Sequence, residues 1–373
     1  MKIRVSRIEI FAADIPFKRQ FSHSLHTRHS SESIFVKVVS DSGIAGFGES
    51  LPRPYVTGET QDSVIRRLKE AASRLSGRTF SDIGEAAAFC RDIDFLSGAA
   101  RCAAELAVLD CAGKAFNTPI SNVLGGVRAK KLRYSAVLGR EPIARTAFSA
   151  FKFRLYGFSD IKLKVGNSRD LRRLSVLRSI LGRSADIRLD ANGAWSAGEA
   201  IEKLRSLGKR GFSVIEQPVP KSDIEGMKAV TDAIPQEVMA DESLCSYEDA
   251  ERLVKEKACG MFNIRLSKCG GLLESARIAR LASESGIGYQ IGCQVGETGL
   301  LSQAARLLAS STGGARYLEG SYAGFLLTEE LTRGAVSFGY GGAAETTEGP
   351  GLGVELNESA LDKYSVKTET IEL

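Results

Sequence analysis

No stretch of about 18 apolar residues occurs in this chain, so nothing in it reads as a membrane-spanning helix. The first residues, MKIRVSRIEIFAADIPF, alternate polar and apolar like a strand and lack the continuous apolar core of a signal peptide. Paired cysteines are missing too. Seven are present, an odd number, and none forms a C-x-x-C pair, which argues against a disulfide framework. A reducing cytoplasm is the compartment these absences predict. Charge of one sign is not concentrated anywhere: 50 basic and 45 acidic residues are mixed along the chain and leave a net +5. Without a basic arm or stripe no nucleic-acid partner is expected, while an anionic small molecule is compatible. The Gly-rich stretch 339–353 lacks a G-x-x-x-x-G-K signature and a strand before it, so it reads as a connection and not as a phosphate loop.

What is there points to an ordered, two-part enzyme. A length of 373 residues exceeds one small domain but fits an α/β barrel with a modest partner. Hydrophobic residues at 43% and charged residues at 25% suffice for a sizeable core, which excludes disorder. Residues 1–50 read as an antiparallel meander, with alternating runs at 3–12 and 33–40, a turn at Asp41-Ser42-Gly43 and a short strand at 45–49. From Glu59 to Phe116 the apolar spacing turns helical, as in Val64/Leu68/Ala71/Leu75 and Ala99/Ala103/Leu106/Leu109. After Pro119 and Gly125-Gly126, short apolar strands alternate with amphipathic helices. Strands are expected near 132–137, 161–164, 187–190, 214–216, 238–241, 262–266, 288–292 and 315–318, with helices between them such as 171–181 and 275–285. That alternation predicts parallel strands with crossover helices closed into a barrel. The expected division is a capping unit at 1–125, a barrel at 126–340 and a tail at 341–373 that returns to the capping unit.

An ionisable residue ends successive expected strands: Lys164, Asp190, Glu216, Asp241 and Lys268, at intervals of 26, 26, 25 and 27. Each interval is one βα unit, so the five groups converge at the C-terminal mouth of a barrel, where such active sites sit. Any one of the carboxylates alone could simply cap the following helix. Three of them on adjacent strands repel one another unless a cation neutralises them, and oxygen-only ligands favour Mg²⁺, with Mn²⁺ as a substitute. Asn192 either adds a hydrogen bond near that metal or merely forms a turn. Lys162 and Lys164, two apart on a strand, share one side of the sheet. A lysine near another cation and a divalent ion can have its pKa lowered from about 10.4 to roughly 7–8 and act as a base. Lys268, four strands away, stands across the barrel, so two lysines can remove a proton from one face of a substrate and return it to the other. A metal on the substrate carboxylate stabilises the enediolate that forms, with Lys162 adding positive charge.

These residues lie in stretches that resemble the enolase superfamily, and within the mandelate racemase/muconate lactonizing enzyme family the muconate-lactonizing-enzyme (muconate cycloisomerase) subgroup. The matching pieces are I-K-L-K-V-G at 161–166, L-D-A-N at 189–192, I-E-Q-P at 215–218, A-D-E-S at 240–243 and K-C-G-G from Lys268, supported by L-G-G at 124–126 and P-G-L-G-V-E-L at 350–356. The resemblance implies a modified TIM barrel, (β/α)7β, with an α+β capping domain completed by the C-terminal tail. It also implies metal ligands at Asp190, Glu216 and Asp241 and acid/base lysines at Lys164 and Lys268. Two capping loops would then choose the substrate, here 17–30 with Arg19, His23, His26 and Arg28, and 50–58 with Arg53 and Tyr55. The histidines, 23, 26 and 29, have no cysteine nearby, which disfavours zinc and leaves substrate contact or plain surface.

Dipeptide epimerases of the subgroup carry Asp-x-Asp after the eighth strand to bind a substrate ammonium. This chain has Glu319-Gly320-Ser321, which keeps one acidic group of the two. Glu297 could reach the ligand or orient Lys268. The leading expectation is a racemase or epimerase of an amino acid derivative or dipeptide-like carboxylate. The alternative is a cycloisomerase or dehydratase of the muconate-lactonizing or o-succinylbenzoate synthase type, because the same lysines and ligands serve both. A silent scaffold on an inherited barrel would have lost a ligand or a lysine, and none is missing. The oligomeric state is open, a homo-oligomer included.

Overall fold

The computed structural model describes residues 2–372 apart from 23–26, 76, 94, 95, 97 and 335. The alternating N-terminal runs form β1 (Ile3–Ser22), β2 (Thr27–Ser40) and β3 (Ala45–Ser50), which pair antiparallel with Ile10 opposite Val36 and Val36 opposite Gly48. The last strand, Ser365–Glu372, pairs antiparallel along the free side of β1, so the sheet reads last strand, β1, β2, β3. Helices α1 (Gln61–Leu75), α2 (Ile83–Arg91) and α3 (Gly98–Ala115) follow. The alanine-rich α3 lies directly on β3. A Cβ at Gly46 would stand 2.1 Å from Cys111 N and one at Gly48 2.0 Å from the Ala103 carbonyl, so only glycine permits this approach.

Segment 17–30, expected as a loop, is largely strand. β1 runs to Ser22 and β2 starts at Thr27, and the two remain paired out to Ser22 and Thr27. The polar run Lys18-Arg19-Gln20 hid this, because paired strands with exposed polar residues such as Lys18 and Arg19 carry no apolar alternation. Its base is pinned to the barrel by a bridge from Phe17 to Leu327 and by Thr328 N–H donating to the Pro16 carbonyl at 2.9 Å.

The barrel is a sheet of eight parallel strands in sequence order: Ala136–Leu138, Asp160–Lys164, Asp186–Asp190, Val214–Glu216, Glu237–Ala240, Met261–Ile264, Gly288–Ile291 and Tyr317–Leu318. Seven helical crossovers join them. A parallel bridge from Tyr134 to Leu318 brings the two edges of the sheet together, with Ser135 N–H donating to the Leu318 carbonyl at 2.9 Å. The strand expected at 132–137 is therefore two pieces. Lys131–Arg133, its two charged side chains exposed, pairs antiparallel with Ala343–Glu345, and the chain enters the barrel only at Ala136. Alternate residues such as Ile161, Leu163, Ile187 and Leu189 join the main apolar core, while Lys162, Arg188, Asp190 and Glu216 are buried inside the barrel. No helix among the described residues is long and apolar enough to cross a membrane.

Two buried carboxylates from the capping elements meet barrel helices at their N-termini, where unpaired N–H groups need acceptors. Glu49 accepts from Thr298 N (3.0 Å), Thr298 Oγ1 (2.6 Å) and Leu301 N (3.1 Å) at the start of helix Gly299–Thr312. Glu105 accepts from Leu272 N (2.6 Å) and Leu273 N (3.1 Å) at the start of helix Leu272–Glu284. Burial pushes each carboxyl up to about 7.

Candidate active site

The five ionisable residues of the regular interval do reach one end of the barrel, but not all from strands. Lys164 and Asp190 close strands Asp160–Lys164 and Asp186–Asp190, and Glu216 closes Val214–Glu216. Asp241 follows Glu237–Ala240 by one residue. Lys268 lies on a short helix, Leu266–Cys269, and not at a strand end: the strand stops at Ile264, and left-handed Gly270 ends the helical turn.

Lys162 is an ion hub, only 3% exposed. Its Nζ donates to Glu216 Oε1 at 2.9 Å and Glu319 Oε2 at 3.0 Å and stands 3.4 Å from Asp190 Oδ2. Burial works against its charge, yet these carboxylates outweigh it and hold the amine well above the ordinary lysine range. Lys164 Nζ donates to Asn192 Oδ1 at 3.0 Å and lies 3.5 Å from Asp190 Oδ2. Asn192, at φ +47°, turns the chain so that its Nδ2 also donates to Glu242 Oε1 at 3.1 Å. Lys268 Nζ stands 2.9 Å from Asp241 Oδ1. Burial opposes the Lys268 charge as well, but Asp241 prevails and raises its pKa, opposite to the lowering a neutral lysine base needs.

Arg265, which the sequence reading passed over, is tied to Asp241 and stands 3.5 Å from Glu216 Oε1. Burial disfavours ionised Asp241, but Arg265 and Lys268 overcome it and hold the carboxyl well below the usual range. For Glu216 burial wins, reinforced by Asp190 and Asp241, and its carboxyl rises to about 8. Asn263 Nδ2 donates to the same Glu216 Oε1 at 2.9 Å. Gln217 Oε1 accepts from Asp241 N (3.0 Å) and Ser243 N (3.1 Å), fixing the turn that carries Asp241. Asn263 and Arg265 are two apart at a strand end, as Lys162 and Lys164 are, and that spacing was the available signal.

Asp190 Oδ2 and Glu216 Oε2 are buried without a hydrogen-bond partner, and a set of carboxylate oxygens suits a hard divalent cation. Among the described residues, however, no three His, Cys, Asp or Glu side chains are gathered as a formed metal cluster. The carboxylates are instead drawn towards their own cations, Lys162, Lys164, Arg265 and Lys268.

A cavity of about 970 Å³ opens over these groups, lined by Lys162, Lys164, Asn192, Glu242, Arg265, Glu297 and Glu319 among others, with Tyr55 from the capping side. Arg53 is not among the lining residues. Its buried guanidinium donates to the carbonyls of Glu32 (3.2 Å), Pro52 (2.9 Å) and Val295 (2.8 Å), so it ties segment 50–58 to the loop after the seventh barrel strand. Glu297 accepts from Gln294 N–H, and burial lifts its carboxyl to about 8. Both Glu319 oxygens are engaged, one by Lys162 and the other by Arg188 at 2.9 Å. Ser321 Oγ accepts from Arg306 at 3.2 Å. His29 is exposed, and His23 and His26 lie outside the described residues.

Two family models match this chain: the mandelate racemase/muconate lactonizing enzyme N-terminal domain over residues 7–125 and the enolase C-terminal domain-like family over residues 146–360. A hydrophobic dipeptide epimerase of Enterococcus faecalis is 30% identical over 83% of this chain and 88% of its own length. The crystal structure of N-succinyl Arg/Lys racemase from Bacillus cereus superposes with a TM-score of 0.91 at 28% identity, covering 100% of both chains. That of a dipeptide epimerase from Cytophaga hutchinsonii, complexed with Mg and D-Ala-L-Val, gives 0.89 at 27% identity over 99% of this chain and 100% of that one. With both halves of the chain matched and its eight-stranded parallel sheet in place, this protein belongs to the enolase superfamily, in the mandelate racemase/muconate lactonizing enzyme family.

Proposed function

We propose that this protein is a Mg²⁺-dependent racemase or epimerase that removes and returns the proton on the carbon next to a substrate carboxylate. The observation that carries this reading is the placing of Lys164 beside Asp190 and of Lys268 beside Asp241, so that two lysines border one carboxylate cluster, one from a strand end and the other from the short helix after a strand four places along the sheet. Asp190, Glu216 and Asp241 would hold the metal, which supplies positive charge to the substrate carboxylate and so stabilises the enediolate. Lys164 and Lys268 each exchange a proton with one face of the α-carbon. Lys162 and Arg265 add fixed positive charge where negative charge develops. The relatives that epimerise dipeptides or racemise a succinylated amino acid support this choice. A second reading has one observation in its favour. Lys268 Nζ donates to Asp241 Oδ1 at 2.9 Å, a pairing that suits a group that only stabilises charge, as in elimination or cycloisomerisation.

Incubation in deuterated buffer with Mg²⁺ tests it. An epimerase exchanges the α-proton of unconsumed N-acyl amino acids or dipeptides and inverts their configuration, and chelation stops both. Retained exchange after complete metal removal would sink the metal-dependent mechanism, and conversion without inversion would favour the second reading.

A further inference from the structure

A second cavity, of about 760 Å³, shares no lining residue with the one over the carboxylates. It lies where the end of α2 and the start of α3 meet the barrel helices Leu272–Glu284 and Gly299–Thr312. Its size suits a small organic molecule. Five arginines line it, Arg91, Arg101, Arg128, Arg277 and Arg280, against a single carboxylate, Glu274. That carboxylate is divided between two of them, with Oε2 3.4 Å from Arg101 Nη2 and Oε1 3.3 Å from Arg277 Nη1. Arg280 pairs with Glu284 on the open side of the helix. Among the described residues no carboxylate pairs with Arg128.

Arginines at a surface can simply keep their charge in water. Two deeper groups cannot. Ser311 is 2% exposed and its hydroxyl has no hydrogen-bond partner among the described residues, and the buried Arg101 Nε has none either. The neighbouring Ser310 shows how a helical serine ordinarily satisfies itself, donating to the Arg306 carbonyl one turn back at 2.8 Å. Ser311 lines the cavity without doing so. Buried polar atoms of this kind call for a partner from outside the chain. Leu124 and Leu273 add an apolar wall beside them.

We propose that this cavity binds a small organic polyanion, its phosphate or carboxylate groups on the arginines and the Ser311 hydroxyl and its apolar part against Leu124 and Leu273. Guanidinium forks match the paired oxygens of either group, and clustered cations favour a ligand of more than one negative charge. Such a ligand would join Arg91 and Arg101 of the capping helices to Arg277 and Arg280 of the barrel, and so stabilise the folded chain. It would also sit one side chain away from the turn that carries Lys268. That turn ends at Gly270, where a Cβ would stand 3.6 Å from Arg101 Cδ and 3.8 Å from Glu274 Cβ. The proposal stands apart from the epimerase reading.

Isothermal titration calorimetry of the whole protein, without Mg²⁺ and at about 50 mM salt, tests it with ATP and citrate as probes and adenosine as the uncharged control. At least one of the two anions should bind with a Kd in the micromolar range and raise the Tm, while adenosine does not bind. Binding of ATP alone assigns a phosphate ligand and of citrate alone a carboxylate one. Arg128→Ala and Arg280→Ala should each weaken binding by about tenfold, the loss of one charge-assisted contact. Both side chains stand clear of the core, so circular dichroism and Tm without probe should match the wild type. Lys164→Ala, in the other cavity, should leave the Kd unchanged. No binding of either anion at millimolar concentration overturns the proposal. So does a Kd unmoved by both arginine variants, and so does binding lost in Lys164→Ala, which would place the probe over the carboxylates.

Discussion

Lys268 Nζ lies 2.9 Å from Asp241 Oδ1, whereas Lys164 Nζ lies 3.5 Å from Asp190 Oδ2 and 3.0 Å from Asn192 Oδ1. The two lysines thus answer to different carboxylates of one cluster and are not interchangeable. Under the two-base mechanism, Lys164→Ala should abolish α-proton exchange in one enantiomer and Lys268→Ala in the other. Each loss should be about 10²–10⁴-fold, the usual contribution of a general base. Proton NMR of each pure enantiomer in deuterated buffer reads this directly. If either variant keeps full activity towards both enantiomers, the paired-base assignment is wrong.

Arg188 is buried inside the barrel, donating to Glu319 Oε1 at 2.9 Å and Gln290 Oε1 at 2.9 Å and lying 3.9 Å over the Tyr317 ring. Removing Arg188 leaves Glu319 Oε1 and Gln290 Oε1 without their donor, while Lys162 still meets the Glu319 charge at Oε2, so the cost is that of unpaired buried acceptors, about 1–3 kcal/mol each. Arg188→Met should therefore lower the unfolding free energy by that order in urea titrations. Adding Glu319→Gln should recover part of it, because the unpaired carboxylate oxygen is gone. No recovery in the double variant would mean that packing against Tyr317, and not the ion pair, sets the cost.

Glu105 supplies a pH dependence that does not involve the carboxylate cluster. Its folded-state pKa, about 7, lies above its ordinary 4.5 because burial disfavours the charge. Between those values the folded protein holds the more protons, so stability falls as pH rises across the window. Glu49 has the same sign and range. The urea midpoint should drop between about pH 5 and about pH 7.5 by the equivalent of roughly 1–3 kcal/mol per group. Glu105→Gln should flatten its share of the slope, and an unchanged slope in that variant would assign the pH dependence to other groups.

The sequence revealed what periodicity encodes. The 26, 26, 25 and 27 residue intervals marked the βα units because each unit spends its residues on one strand, one helix and two turns. Lys164, Asp190, Glu216 and Asp241 stood out because they fall at or just after strand ends, and Lys268 because it keeps the same interval, although it sits on a short helix. What escaped was polar chemistry one step inside the strands: Arg188 and Asn263 read as ordinary strand residues, although each lies two positions before a residue that was noticed or should have been, Asp190 and Arg265. The pairing of β1 with β2 beyond Pro16 escaped for a different reason. Strand pairing away from a core leaves no apolar signature, and backbone hydrogen bonds have no residue code of their own. Arg53 was recognisable as important but not as a clamp, since its carbonyl partners at Glu32, Pro52 and Val295 are set by tertiary placement.

The pairing of Ser365–Glu372 with β1 has a consequence for synthesis. During translation β1 emerges hundreds of residues before its edge partner, so until then it presents an unpaired row of N–H and C=O groups. All eight barrel strands, the last ending at Leu318, are synthesised before that partner, so β1 still has an open edge when the last barrel strand has been made. A chaperone that shields strand edges would find its target in that interval, and a ribosome stalled shortly before residue 365 would leave the β1 edge unpaired.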